Sequence, residues 1–340
     1  MDKGSILKHR TILSVILMAL AAFLMWPSLI SIPIYYHGSS EEPRQALDAP
    51  NDIIGLDDII FTPSVSETPN RTRPRLQPLS AEYIEQLLNF DYLISRLFLV
   101  DSETILLPKD IDVLNFLEAD LTINTQKKGP QILVFHSHSA EMFIDSNPAY
   151  PMTGIMGVGK YLTEILAQVH GIETMHYTGR FDKVDGISAR AGSYERMEPV
   201  IRQILKDNPS IQVVIDLHRD GVGDHVPPFI TYIDGVRTAQ IMFFNGLSRR
   251  NRGGTPEAVR WLYNPYQQEN LNFSFRLQLA ANQIYPGLAR RIYLRAFRYS
   301  LHMKPLSTLV EVGNQHNTQQ EAKNAMHPLA DIIAAVVLDE

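Results

Sequence analysis

The sequence predicts an α/β fold, a mostly parallel sheet flanked by helices. Three observations predict it: short apolar runs that end in polar residues, helical periodicity between them, and turn and capping signals at the junctions. The first run is Gln131 to Phe135, the second Gln212 to Leu217, and the third Ser307 to Val312. Apolar runs this short suit strands buried on both faces. Helices are expected from about Val158 to Val169 and from about Ser193 to Lys206. Thr318 and Glu321 form a T-x-x-E capping box that opens another. Phe229 to Ile233, Asp234-Gly235 and Val236 to Phe244 read as a hairpin. Asn264-Pro265 starts a further helix and Pro286-Gly287 ends it.

The main domain is expected over residues 129–340, with three segments before it. Lys3, Lys8 and Arg10 precede an uncharged, apolar run from Thr11 to Tyr36. About 20 such residues cross a bilayer core. Residues 1–36 therefore read as a cytoplasmic amino terminus and a transmembrane anchor, and the positive-inside bias places the rest outside the cytoplasm. A cleaved signal peptide is the alternative, but Ile-Pro-Ile-Tyr-Tyr is a poor cleavage site. Residues 37–79 carry Pro43, Pro50, Pro63, Pro69, Pro74 and Pro78 in a polar setting and read as a disordered tether. Residues 80–128 regain helical periodicity at Tyr83, Leu87, Leu88, Leu93 and Leu97, followed by a strand-like Thr104 to Leu107. They read as an extension of the main domain.

Composition narrows the chemistry. The net charge of −6 argues against a nucleic-acid partner, which demands a basic face. With no cysteine, any metal must be held by His, Asp or Glu.

Each buried run ends in a polar cluster. These are His136-Ser137-His138-Ser139-Ala140-Glu141, Asp216-Leu217-His218-Arg219-Asp220 and Glu311-Val312-Gly313-Asn314. In open α/β sheets the carboxyl ends of the strands line one crevice, so the three should converge. His138, Glu141 and His218 supply two imidazoles and a carboxylate, a set that suits Zn2+ with one position left for water. Glu311, in the apolar Leu309-Val310-Glu311-Val312, is placed to carry a proton as general base. It could instead be a buried structural carboxylate partnered by Arg219. On an extended strand His136 and His138 would share a face. His136 could then be the first-strand ligand itself, a fourth ligand, a donor that holds a ligand in place, or a transition-state stabiliser. Asp216 could orient His218.

Three blocks here resemble the stage II sporulation protein P family. They are Gly-Pro-Gln-Ile-Leu-Val-Phe-His136-Ser-His138-Ser-Ala-Glu141, Val-Val-Ile-Asp216-Leu-His218-Arg219-Asp220-Gly and Leu-Val-Glu311-Val-Gly-Asn314-Gln-His-Asn317-Thr. The resemblance covers roughly residues 80–340, and the anchor and tether fit the same layout. It implies a zinc-dependent N-acetylmuramoyl-L-alanine amidase of phosphorylase/hydrolase-like fold that also cleaves peptide cross-links during engulfment in sporulation. It implies peptidoglycan as substrate, with the sporulation lytic transglycosylase and a membrane scaffold as partners. The family is similar in turn to the zinc amidases of cell division, which puts His138 and His218 at the imidazole ligands and Glu311 at the catalytic carboxylate. Those amidases take their carboxylate ligand a dozen or so residues after the first His, whereas Glu141 follows His138 by three. Ser300 departs from the Asn of the family pattern and is given no role.

Two rivals have their own signals. A wall-binding scaffold with a lapsed site would not need His138, His218 and Glu311. A zinc carboxypeptidase would need an Arg for the terminal carboxylate, and Arg219 could serve. Gly154 to Lys160 looks like a phosphate loop, but Tyr161 stands where Ser or Thr must hold magnesium. Arg249 to Gly254 could grip an acidic wall polymer or be a solvated flexible loop.

Overall fold

The computed structural model of the chain describes residues 59–62 and 74–338. The expected anchor and most of the expected tether lie outside the described residues. Among the described residues no helix is long and apolar enough to cross a membrane.

Eight strands form the central sheet: β1 (Ile59–Thr62), β2 (Phe98–Val100), β3 (Ile132–Phe135), β4 (Thr174–Tyr177), β5 (Val213–Asp220), β6 (Ile241–Gly246), β7 (Ala289–Arg295) and β8 (Ser307–Asn314). Their spatial order is β1-β4-β3-β5-β8-β6-β7-β2. The run β4-β3-β5-β8 is parallel, as is β6-β7-β2, and the two blocks meet antiparallel at β8 and β6. β1 adds an antiparallel edge within the span expected to be a tether. The mostly parallel sheet is as expected.

Helices follow the apolar periodicity. They are α1 (Ala81–Leu88), α2 (Phe90–Leu97), α3 (Val113–Glu118), α4 (Ile155–Gln168), α5 (Ser193–Asp207), α6 (Gln267–Ile284), α7 (Gln319–Asn324) and α8 (Met326–Val337). The capping box at Thr318 and Glu321 forms, each satisfying the other's backbone N–H. Two expectations are corrected. Thr104 to Leu107 is not a strand, and the strand of that region is Phe98–Val100, which pairs with β7. The hairpin Ile230–Ile233/Val236–Ala239 forms as read, but the chain breaks at Gln240, and Ile241–Gly246 joins the main sheet instead.

The sheet's two faces are covered differently, and that difference makes the site. One face, with Ile132, Val134, Ile215, Leu217, Phe243 and Val310, is buried under α4, α6 and α8. The other carries Leu133, Phe135, Met175 and Val214, and α5 packs there through Met197, Val200, Ile201 and Ile204. That spacing is one helical stripe, and each such side chain contributes about 1.5–3 kcal/mol by leaving water. Farther along, the same face carries Leu309 and Phe244, packed by Leu301, Tyr293 and Tyr299. There the cover is the segment after β7 rather than a helix.

Candidate metal and acid-base site

Register puts the polar residues together. Leu309 pairs with Asp216, and Glu311 with His218. Phe135 also pairs with Asp216, so Phe135, Asp216, His218 and Glu311 share the α5 face. β5 runs on to Asp220, two residues past His218, so the site lies on that face near the strand ends rather than beyond them.

The tightest group is Glu141, His218 and Glu311, whose donor atoms all lie within 4.8 Å of one another. All three are buried. His218 Nδ1 lies 3.3 Å from Glu141 Oε2, and its Nε2 lies 2.7 Å from Asp216 Oδ1 and 2.9 Å from Ser137 Oγ. Asp216 thus fixes the ring through one nitrogen and leaves Nδ1 facing the carboxylates, the carboxylate–imidazole arrangement common beside metals. Burial alone would lower the His218 pKa, but Asp216 and Glu141 outweigh it and raise it well above its ordinary value. A field that holds a proton on this ring against burial would also favour a cation. Glu141 accepts from the Arg219 backbone N–H at 2.9 Å and from Arg190 Nη2 at 3.1 Å. Burial works to raise its carboxyl, yet His218, Arg219 and Arg190 hold it well below the usual range.

Glu311 is the contrast. Its Oε2 is buried and has no hydrogen-bond partner. Burial, with Asp220 and Glu141 adding to it, pushes its carboxyl up to about 8, against the pull of His218 and Arg219. An unpartnered buried carboxylate oxygen is costly and invites a functional explanation. The Glu141 carboxylate and the Nδ1 of His218, held by its far nitrogen, are donors that fit a zinc ion, and the orphaned Glu311 oxygen stands beside them.

His138 stands beside this group rather than in it. Its ring meets that of His218 edge-on with centroids 5.3 Å apart, and its Nδ1 lies 3.3 Å from Ser193 Oγ. Burial lowers it to about 4, so it is a neutral imidazole at neutral pH. His136 goes elsewhere. It continues the alternation of Ile132 and Val134 onto the face under α4, with Nδ1 2.7 Å from the Leu217 carbonyl and Nε2 2.8 Å from His176 Nε2. The turn over 137–140 then brings His138 back to the site side, so the two do not share a face as an extended strand would require. Arg219 is spent on carbonyls, its Nε on Met142 at 2.8 Å and its Nη1 on Asp220 at 3.2 Å. Among the described residues no ion pair joins it to Glu311, so the structural partnership entertained from sequence does not form.

Several supporting residues carry no strand-end signature. Asp182 accepts from Ser139 Oγ at 2.6 Å and from the Ala140 backbone N–H at 2.8 Å, fixing the turn between His138 and Glu141. Arg190 reaches the site from the approach to α5, and Ser193 from its first residue. Tyr194 lies edge-on to His138 with centroids 5.5 Å apart, and Tyr299 lies edge-on to Tyr194 at 5.7 Å. Tyr299 sits at φ 52°, a left-handed conformation that costs a residue with a Cβ roughly 1–2 kcal/mol. Only the start of a helix at Ser193 hinted at any of these.

The glycines of the apparent phosphate loop are explained by packing. A Cβ on Gly157 would stand 1.9 Å from the Met152 carbonyl, and one on Gly159 2.6 Å from the His136 ring. They let α4 lie against the turn and the buried histidine pair.

Comparison with known proteins was made against this geometry. A curated relative from Bacillus subtilis (strain 168), stage II sporulation protein P, is 21% identical over 239 residues, which is 64% of this chain and 55% of that protein. The chain thus matches little more than half the length of that relative. Among solved structures it is similar to an N-acetylmuramoyl-L-alanine amidase from Clostridium difficile 630, at 12% identity over 61% of this chain and 94% of that one, with a TM-score of 0.35. It is similar also to the CwlD amidase from Clostridioides difficile, solved in complex with the GerS lipoprotein, at 11% identity over 61% and 95% with a TM-score of 0.34. TM-scores of that size leave fold and activity to be argued from the chain itself. A family model described as stage II sporulation protein P (SpoIIP) matches residues 69–334, and the chain belongs to that family.

Proposed function

We propose that this protein is a zinc-dependent N-acetylmuramoyl-L-alanine amidase, cutting the amide between the muramic acid lactyl group and L-alanine of peptidoglycan in sporulation. The observation that carries it is the buried group of Glu141, His218 and Glu311, with donor atoms within 4.8 Å and one Glu311 oxygen unpartnered. The family and the name of its Bacillus subtilis relative support the sporulation setting. Cleavage of peptide cross-links, the lytic transglycosylase and scaffold partners, and a membrane-anchored, wall-side location belong to the same proposal.

In this mechanism Glu141 and His218 would hold the zinc, joined by His138, whose ring lies edge-on to that of His218. Zinc, when bound, supplies an acidified water and polarises the scissile carbonyl. The protein's own residues do the rest. Asp216 holds His218 in one orientation. Ser193 does the same for His138, and Asp182 keeps the intervening turn closed. Glu311, whose buried Oε2 has no partner of its own, takes a proton there from the attacking water and delivers it to the leaving amine. Against the carboxypeptidase alternative stands Arg219, whose Nε and Nη1 already donate to the Met142 and Asp220 carbonyls.

Metal analysis of single substitutions tests the assignment. His218→Ala and His138→Ala should lose zinc and cleavage together, while Glu311→Gln should keep zinc and lose cleavage. Zinc lost in Glu311→Gln but kept in His138→Ala would make Glu311 the ligand and displace His138 from the site.

A further inference from the structure

The segment Arg249 to Gly254 is not a flexible loop. Arg249–Arg252 and Thr255–Ala258 form an antiparallel hairpin closed by Gly253 and Gly254, both at positive φ. Its base is tied down. The Arg249 guanidinium grips Asp110 through both oxygens, at 2.5 and 2.9 Å. The backbone of Asn251 donates to Glu103, and that of Arg249 to Ala296. Arg249 is therefore structural, whereas Arg250 turns toward aromatic rings. Its guanidinium carbon lies 6.0 Å from the centroid of Trp261 and 5.3 Å from that of Phe297. Trp261 and Tyr263 are 57% and 68% exposed, and Arg252 and Arg260 are exposed beside them. Arg252 is shared with Glu257 on the opposite strand of the hairpin.

Two large exposed rings, one beside an arginine, are the residue types that binding surfaces favour. The patch and the site are served by one segment of chain. Phe297, which Arg250 reaches, is two residues from Tyr299, whose ring meets Tyr194, which in turn meets His138. A ligand that engaged both would be extended, as a polymer is. Exposed aromatic faces suit the C–H faces of sugar rings, and guanidinium groups suit carboxylates hung from them.

We propose that Trp261, Tyr263 and Arg250 form a platform that holds the glycan strand of the polymeric substrate while one muramoyl amide occupies the site. This rests on the amidase function proposed above, and it adds a surface that binds polymer without taking part in the chemistry.

The test is cosedimentation of the full chain, solubilised in detergent, with insoluble sacculi. Peptide-free glycan strands serve as competitor. Thermal midpoint and cleavage of a small soluble muramoyl-peptide are measured on the same preparations. Trp261→Ala combined with Tyr263→Ala should weaken sacculus binding about tenfold or more, the scale of losing interfacial anchors. Thermal midpoint and small-substrate cleavage should hold, and Arg250→Ala should weaken binding by a smaller factor. Glycan strands should compete with wild-type binding. Unchanged sedimentation of the double variant overturns the platform, as does competition by DNA or anionic vesicles but not by glycan. If wild type cleaves neither substrate yet the double variant still sediments poorly, the platform stands and the amidase assignment falls.

Discussion

Glu311→Gln separates two consequences of one buried carboxyl group. The amide keeps the shape of the side chain but cannot move a proton. A positioned acid-base group is worth about 10²–10⁴ in rate, so amide cleavage should fall at least about 100-fold. Stability should move the other way. In the metal-free protein Glu311 keeps its proton up to about 8, while the unfolded chain releases it near the ordinary 4.5. The folded value is the raised one, so stability is full below the unfolded value and is lost as pH rises toward 8. The loss is at most about 1.4 kcal/mol per pH unit. Gln does not titrate and removes that slope. Relaxation and water entry blunt the full effect, so a gain of roughly 1–3 kcal/mol at about pH 8 is expected. For a domain of this size that is on the order of 2–12 °C in thermal midpoint. The assay is thermal unfolding of chelated wild type and variant at about pH 5 and pH 8, with sacculus cleavage after zinc is restored. Equal midpoints at both pH values and near-wild-type cleavage would remove Glu311 from the site's chemistry.

Other predictions concern packing, acid stability and topology. Gly159→Ala should destabilise by about 1–3 kcal/mol in chemical unfolding, because the new methyl meets His136, even though alanine is the better helix former. A gain in stability would show that the histidine pair can give way. Glu198 is held down to about 2, chiefly by His302 at 3.0 Å and also by Arg202 and Arg298. Its contribution is present above 4.5 and lost as pH falls toward 2. Glu198→Gln should therefore cost roughly 1–2 kcal/mol at neutral pH and progressively less in acid, and a pH-independent difference in urea unfolding would contradict this. Protease added to intact protoplasts should remove the domain, since Lys3, Lys8 and Arg10 lie before the apolar run. Protection would reverse the orientation.

The sheet was legible where strands were short, apolar and buried on both faces, as in Ile132–Phe135 and the first half of Val213–Asp220. It was not legible in Ala289–Arg295, whose sequence Ala-Arg-Arg-Ile-Tyr-Leu-Arg buries Ile292 and Leu294 but carries three arginines. Nor could periodicity give the direction of Ile241–Gly246, because side-chain alternation is the same whichever way a strand runs. The site was partly legible for the same reason. Strand-end polar clusters marked Glu141, His218 and Glu311, which the fold brings together. His136 follows the alternation of Ile132 and Val134 away from the site, and the turn over 137–140 carries His138 back to it, so the face expected to be shared by the two is not. Asp182 and Arg190 come from connecting segments and Ser193 and Tyr194 from the first turn of α5, and their contacts exist only in three dimensions.

The most direct test of the central claim is digestion of purified sacculi by the protein, with and without chelator, followed by mass analysis of the fragments. The account predicts glycan strands carrying free lactyl carboxylates and peptides with free L-alanine amino termini, both abolished by chelator and restored by zinc. Intact muramoyl amides in every fragment, or release that persists in chelator, would contradict it.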